Sequence, residues 1–199
     1  FGLIVADEAH HAAAPGWAAV LDWFCPEFTL GCTATPERAD GKGLAERFGT
    51  QPLYAYSLRQ AVTDGRLVRI VQYGVETTVS LDGVRYRAGD FAENDLADAV
   101  DTPERNRVVV DAYLKHASDR RALAFCVDVE HAHHLTAAFN DAGIPATYVV
   151  GELSDEHRKS RLADFAAGKH RVMCNCMVLT EGFDDKGIDC VLMARPTSS

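Results

Sequence analysis

At 199 residues, 47% of them apolar and 25% charged, the chain has the make-up of a soluble globular protein with material for one large or two small cores. A formal net charge of −9 excludes a broad basic surface for nucleic acid, though not a grip through main-chain amides, hydroxyls and helix N-termini. No apolar run approaches the ~20 residues that span a bilayer and no basic-then-apolar leader opens the chain, so a cytoplasmic setting is the expectation.

Leu3 to Ala6 form a short, branched, wholly apolar run, the pattern of a parallel strand buried on both faces. Asp7 and Glu8 follow at its carboxyl end, the edge where open α/β sheets bind ligands. One such acid suits Mg²⁺ and the other an attacking water, but a lone pair also reads as a helix cap or a solvated turn. Trp17, Val20, Leu21 and Phe24 then mark one apolar face of a helix that Pro26 stops. Phe28 to Cys32 form a second apolar strand that ends in Thr33, Thr35 and Pro36. A strand-helix-strand order predicts a crossover, with both strands parallel and their functional ends on one edge.

Residues 37–43 read as a polar loop. Neither Gly41-Lys42 nor Gly168-Lys169 completes a P-loop, because each lacks the earlier glycine or the following Ser/Thr. Ser57 to Gln60 form a capping box for a short helix that Gly65 ends. Ile70 to Val79 are rich in β-formers and predict one or two strands, Asp82-Gly83 a hairpin-type turn, and the charged span from 70 to 101 a solvated linker.

From Thr102-Pro103, a helix start, strand and helix patterns alternate. Val108, Val109, Ala112 and Tyr113 are expected to face a core. Strands are expected over 122–126, 146–150, 171–178 and 190–194, with helices from about Val129 to Gly143 and from Ser154 to Gly168. Such alternation predicts a parallel sheet with helices on both faces. The cysteines at 25, 32, 126, 174, 176 and 190 are scattered as packing residues rather than as a disulfide framework. His131, His133 and His134 do not share a helical face, and Cys174 with Cys176 has no second pair nearby, so zinc is not expected.

Asp7-Glu8-Ala9-His10, Thr33-Ala34-Thr35 and Val178 to Asp184 resemble motifs II, III and V of the superfamily 2 helicases of the DEAD/DEAH type, in that family's order. The resemblance implies an α/β fold of two RecA-like parallel-sheet domains, the first incomplete, joined by a linker. It places the end of the first domain at residues 1–69, the connector at 70–101 and the second domain at 102–199, with motif IV at 122–135. It implies ATP and Mg²⁺ bound between the domains, Asp7 holding the metal and Glu8 the water. Thr33, Thr35, Gly182 and Asp184 would link nucleotide state to nucleic acid, and Thr180 would touch its backbone, with Gly151 a weaker match. His10 reads either as a helix-start residue or, by the resemblance, as a polar link toward motif III or the opposing domain. The expected partner is nucleic acid, with DNA favoured over RNA, and no membrane.

The family's P-loop would precede Phe1 and its motif VI would follow Pro196-Thr197, so the expectation is an internal piece of a longer helicase, inactive by itself. Two other readings remain: the motor subunit of a restriction-modification complex that translocates duplex DNA without unwinding it, and a non-catalytic interaction module.

Overall fold

A computed structural model describes residues 1–12, 14–35, 44–49, 51–77, 79–87, 90–180 and 182–196. Pro36 and the whole polar loop at 37–43 lie outside these residues. The chain forms two compact units, Phe1–Gln72 and Tyr73–Ser199.

In the first unit, β1 (Leu3–Ala6) pairs in parallel with β2 (Phe28–Gly31), Leu3 opposite Phe28 and Ala6 opposite Gly31. Helix α1 (Pro15–Phe24) is the crossover between them, with proline at its first turn and Cys25 closing it in a left-handed conformation. Short helices α2 (Ala45–Phe48) and α3 (Leu58–Thr63) follow. Ser57 caps α3 by accepting the Gln60 N–H at 3.2 Å, and Gly65 leaves it with a positive φ.

The expectation of a strand buried on both faces is not met. Leu3 and Val5 share a face with Phe28 and Leu30, and all four are exposed. Of the predicted apolar helix face only Leu21 is buried, while Trp17, Val20 and Phe24 flank an apolar groove with Phe1 and Val5. The physical reason is that two strands and one helix cannot cover both faces of a sheet.

In the second unit, the pair β3 (Tyr86–Arg87) and β4 (Asp90–Phe91) is antiparallel. The turn at Asp82-Gly83 is present, with Gly83 at φ 98°, but no strand forms among the described residues of 70–79. β-Propensity there finds no partner strand, and Ile70 and Val71 stay exposed. Helix α4 (Glu93–Val100), within the charged span, was not legible as a helix; it buries Leu96, Ala97 and Val100 beside Val127.

Helix α5 (Pro103–Ala117), β5 (Ala122–Phe125), α6 (Val129–Asp141), β6 (Ala146–Val149), α7 (Asp155–Ala166), β7 (Val172–Asn175) and β8 (Cys190–Met193) complete the unit. All four of these strands run parallel, in the order β6-β7-β5-β8. Alternate residues divide two cores. Ala122, Ala124, Ala146, Val172 and Cys174 meet Tyr113, Leu135 and Phe139 of α5 and α6 on one face. Leu123, Val149 and Met173 meet Phe165 of α7 on the other.

As expected, Tyr113 is buried and Val109 packs against the core, but the buried stripe of α5 runs through Asn106, Val110, Tyr113 and Ala117, and Val108 and Ala112 are half-buried. Strand β7 is also shorter than expected. Met177, at φ 54°, turns the chain out of the sheet soon after Asn175.

Candidate functional site

The sequence-predicted residues of the first unit meet at the carboxyl ends of β1 and β2. Past the paired strands the ladder continues: Cys32 N–H donates to the Ala6 carbonyl and Ala9 N–H to the Cys32 carbonyl, both at 2.9 Å. This stitches the two strand ends together and fixes the turn between them. Glu8 takes a left-handed conformation there, φ 48° and ψ 47°, which costs a non-glycine residue about 1–3 kcal/mol and persists only where the surroundings impose it. Asp7 helps to impose it, since its Oδ1 accepts the Glu8 N–H at 2.9 Å. Both carboxylates are exposed.

A short 3₁₀ turn, Ala9–His11, then brings His10 back over the strand ends. His10 Nδ1 lies 2.9 Å from Thr33 Oγ1, 3.3 Å from a Glu8 carboxylate oxygen and 3.4 Å from Thr35 Oγ1. Thr33 Oγ1 accepts the Thr35 N–H at 3.1 Å. The imidazole therefore bridges the acid after β1 to both hydroxyls after β2. His10 thus stands within the 3₁₀ turn and also makes polar contacts to the residues that follow β2.

Gly31 makes the close approach possible. A Cβ there would stand 2.9 Å from the Ala9 Cβ and from the Phe48 ring.

In the second unit, Gly151 follows β6 and Thr180 lies in the loop that leaves β7, both exposed at the carboxyl edge of the sheet. Arg158 donates to the Gly151 and Leu153 carbonyls, at 3.2 and 3.3 Å, and so fixes the first of these loops. Gly182 sits at φ 70°, which glycine adopts freely. Asp184 is exposed, and the next residue, Asp185, is held by Arg121 at the other end of β5. The structure thus brings Gly151 and Thr180 to one edge of the sheet.

Other polar groups carried no legible signal. Arg105 is buried and donates to the Ala194 carbonyl at 2.7 Å and the Val100 carbonyl at 3.4 Å. His131, fully buried, accepts the Val127 N–H on Nδ1 at 3.2 Å, which leaves Nε2 as the donor to Asn106 Oδ1 at 3.1 Å. Asn106 donates in turn to Asp101 at 2.9 Å, and Asp101 pairs with His134 at 2.7 Å. Burial holds the His131 pKa down, and the hydrogen bond to Asp101 holds that of His134 up. Both ring nitrogens of His131 are thus committed inside the protein.

Two family models match the chain: the helicase conserved C-terminal domain over residues 104–199, and the type III restriction enzyme res subunit over residues 1–38. The Schizosaccharomyces pombe protein irc3, named as a mitochondrial ATP-dependent helicase, is 36% identical over 96% of this chain and 32% of its own length. The Saccharomyces cerevisiae protein IRC3, also named as an ATP-dependent helicase, is 32% identical over 99% of this chain and 30% of its own length.

The chain carries the matches of a superfamily 2 helicase.

It spans about a third of the length of the helicase relatives it matches. A solved Saccharomyces cerevisiae Dbp5 structure, bound to RNA and ADP with beryllium fluoride, shares the fold of this chain at 15% identity. Its TM-score is 0.50, over 96% of this chain and 44% of that one.

Proposed function

We propose that this chain is part of an ATP-dependent helicase that couples ATP hydrolysis to unwinding of, or movement along, nucleic acid, with DNA favoured over RNA. The observation that carries the reading is the bridge from Glu8 through His10 to Thr33 and Thr35 at the joined ends of β1 and β2. The helicase relatives support it.

The donor set fits Mg²⁺ with ATP. Asp7 is an exposed, hard oxygen ligand at a strand end, with one oxygen oriented by main chain, and Mg²⁺ is ordinarily bound through one or two carboxylates together with phosphates and waters. Bound, the metal and nucleotide supply the scissile phosphoanhydride and the charge that steadies it. Asp7 would hold the metal. Glu8 would orient a water for attack on the terminal phosphate and take its proton on a carboxylate oxygen, as the phosphoanhydride bond breaks and the nucleoside diphosphate leaves. His10 senses that carboxylate and passes its position to the Thr33 and Thr35 hydroxyls. Thr180 and Gly151 face the nucleic-acid backbone, a role that needs hydroxyls and close main chain rather than lysines and so agrees with the acidic net charge.

The testing experiment is ATP turnover by the full-length protein with and without DNA or RNA. Stimulation by nucleic acid is expected; its absence removes the reading. The match of residues 1–38 to the res subunit of type III restriction enzymes favours a second reading, a duplex translocase within a restriction complex. Triplex displacement without strand separation would select it.

A further inference from the structure

Between β7 and β8 the chain returns from the carboxyl edge of the sheet to the amino edge and passes β5 on the way, because β8 pairs with β5 and not with β7. Connections of this kind are ordinarily carried by a helix, yet the described residues from 176 to 189 contain none. Leu179 is buried against the α7 face of the sheet, and Val178, Phe183 and Ile188 are partly buried there. Apolar packing has no direction, so it does not by itself fix where Thr180 and Gly182 stand.

The polar groups at the far end of the loop do. Arg121, one residue before β5, donates from Nη2 to Asp185 Oδ1 at 2.6 Å and from Nε to the Gly187 carbonyl at 3.1 Å. Its Nη1 donates to the Phe165 and Ala166 carbonyls at the end of α7, both at 2.9 Å, and its guanidinium lies 5.1 Å from the centre of the Phe165 ring. Asp185 Oδ1 also accepts the Gly187 N–H at 2.9 Å, which closes the turn on itself. A Cβ at Gly187 would overlap the guanidinium, so this glycine is the space in which the arginine lies. The ion pair is mostly buried, with 16% of the arginine side chain and 17% of the aspartate exposed. The planar fork is used from three sides, which a lysine cannot reproduce.

From this geometry we infer that Arg121 and Asp185 are positioning residues: they clamp the β7–β8 loop to α7 and β5 and so hold Thr180 and Gly182 in their working conformation. The role at the nucleic-acid backbone rests on the proposed helicase function; the clamp itself does not.

The test uses the full-length protein with Arg121→Gln, the conservative Arg121→Lys, and Asp185→Asn. Amide exchange over 179–188 is expected to accelerate about tenfold in each, with β5, β6 and β7 as protected as in the parent. In the same variants nucleic-acid-stimulated kcat is expected to fall about tenfold with KM for ATP little changed. Unchanged exchange over 179–188, or equal loosening of the whole sheet, overturns the inference. A parent protein that shows no nucleic-acid-stimulated turnover overturns the functional reading, and the exchange data still decide the clamp.

Discussion

His10 Nδ1 has three oxygens within reach and one lone pair or proton to give, so in the proposed function its choice between Glu8 and the threonine hydroxyls is where the two strands would exchange information. His10→Ala in the full-length protein is expected to leave ATP binding intact and to lower nucleic-acid-stimulated kcat about tenfold, more than it lowers the unstimulated rate. A uniform loss in both rates would assign His10 to structure alone. The sequence showed these residues because Asp7, Glu8, His10, Thr33 and Thr35 stand at strand ends in a fixed order. Arg121 and Asp185 were not legible: a lone arginine before a strand and one acid among several have no spacing that marks them as partners.

Two of the three histidines of α6 have pKa values shifted in opposite directions. His134 has a raised folded pKa, so its stabilisation is full below the ordinary histidine range and is lost as pH rises through the folded value. His131 has a lowered one, because burial disfavours its charge, so its contribution is full above the ordinary range and is lost as pH falls through it. His134 is 63% exposed, and solvent screening limits its pair with Asp101 to about 0.5 kcal/mol. His134→Ala should therefore cost about that much at pH 6 and less at pH 9 by denaturant unfolding. An equal cost at both would remove the ion pair from the account.

Among the elements, helices were the most legible, because their starts carry side chains that do the capping. Ser57, Thr102, Asp128 and Ser154 each accept the backbone N–H three residues on. Strand ends were less so. Apolar pattern carries past Asn175 to Val178, but the left-handed Met177 ends β7 first. Helix α4 was hidden by its acidic residues, although Leu96 and Val100 have helical spacing.

Two substitutions test the packing. Gly31→Ala puts a methyl 2.9 Å from Ala9 and Phe48, and overpacking of this kind costs about 1–3 kcal/mol, read as a lower denaturant midpoint. Phe139, fully buried and edge-on to Tyr113 at 5.5 Å, should cost about 3–5 kcal/mol when cut to alanine. A loss under about 1 kcal/mol at Phe139 would mean that the α5–α6 face is not the core.

For the whole molecule, the alternation of strand and helix announced parallel sheets, but the order β6-β7-β5-β8 was not readable, since strand adjacency depends on contacts far apart in sequence. Among the described residues no helix is long and apolar enough to cross a membrane. The 199 residues contain no Gly-Lys-Ser/Thr phosphate loop, so this chain alone is expected to show no Mg²⁺-dependent ATP turnover.

The most direct measurement is ATP binding and hydrolysis by the full-length protein carrying Glu8→Gln, with nucleic acid present. The account predicts that ATP still binds and that turnover falls about 100-fold or more. An unchanged kcat would contradict it and take Glu8 out of the hydrolytic site.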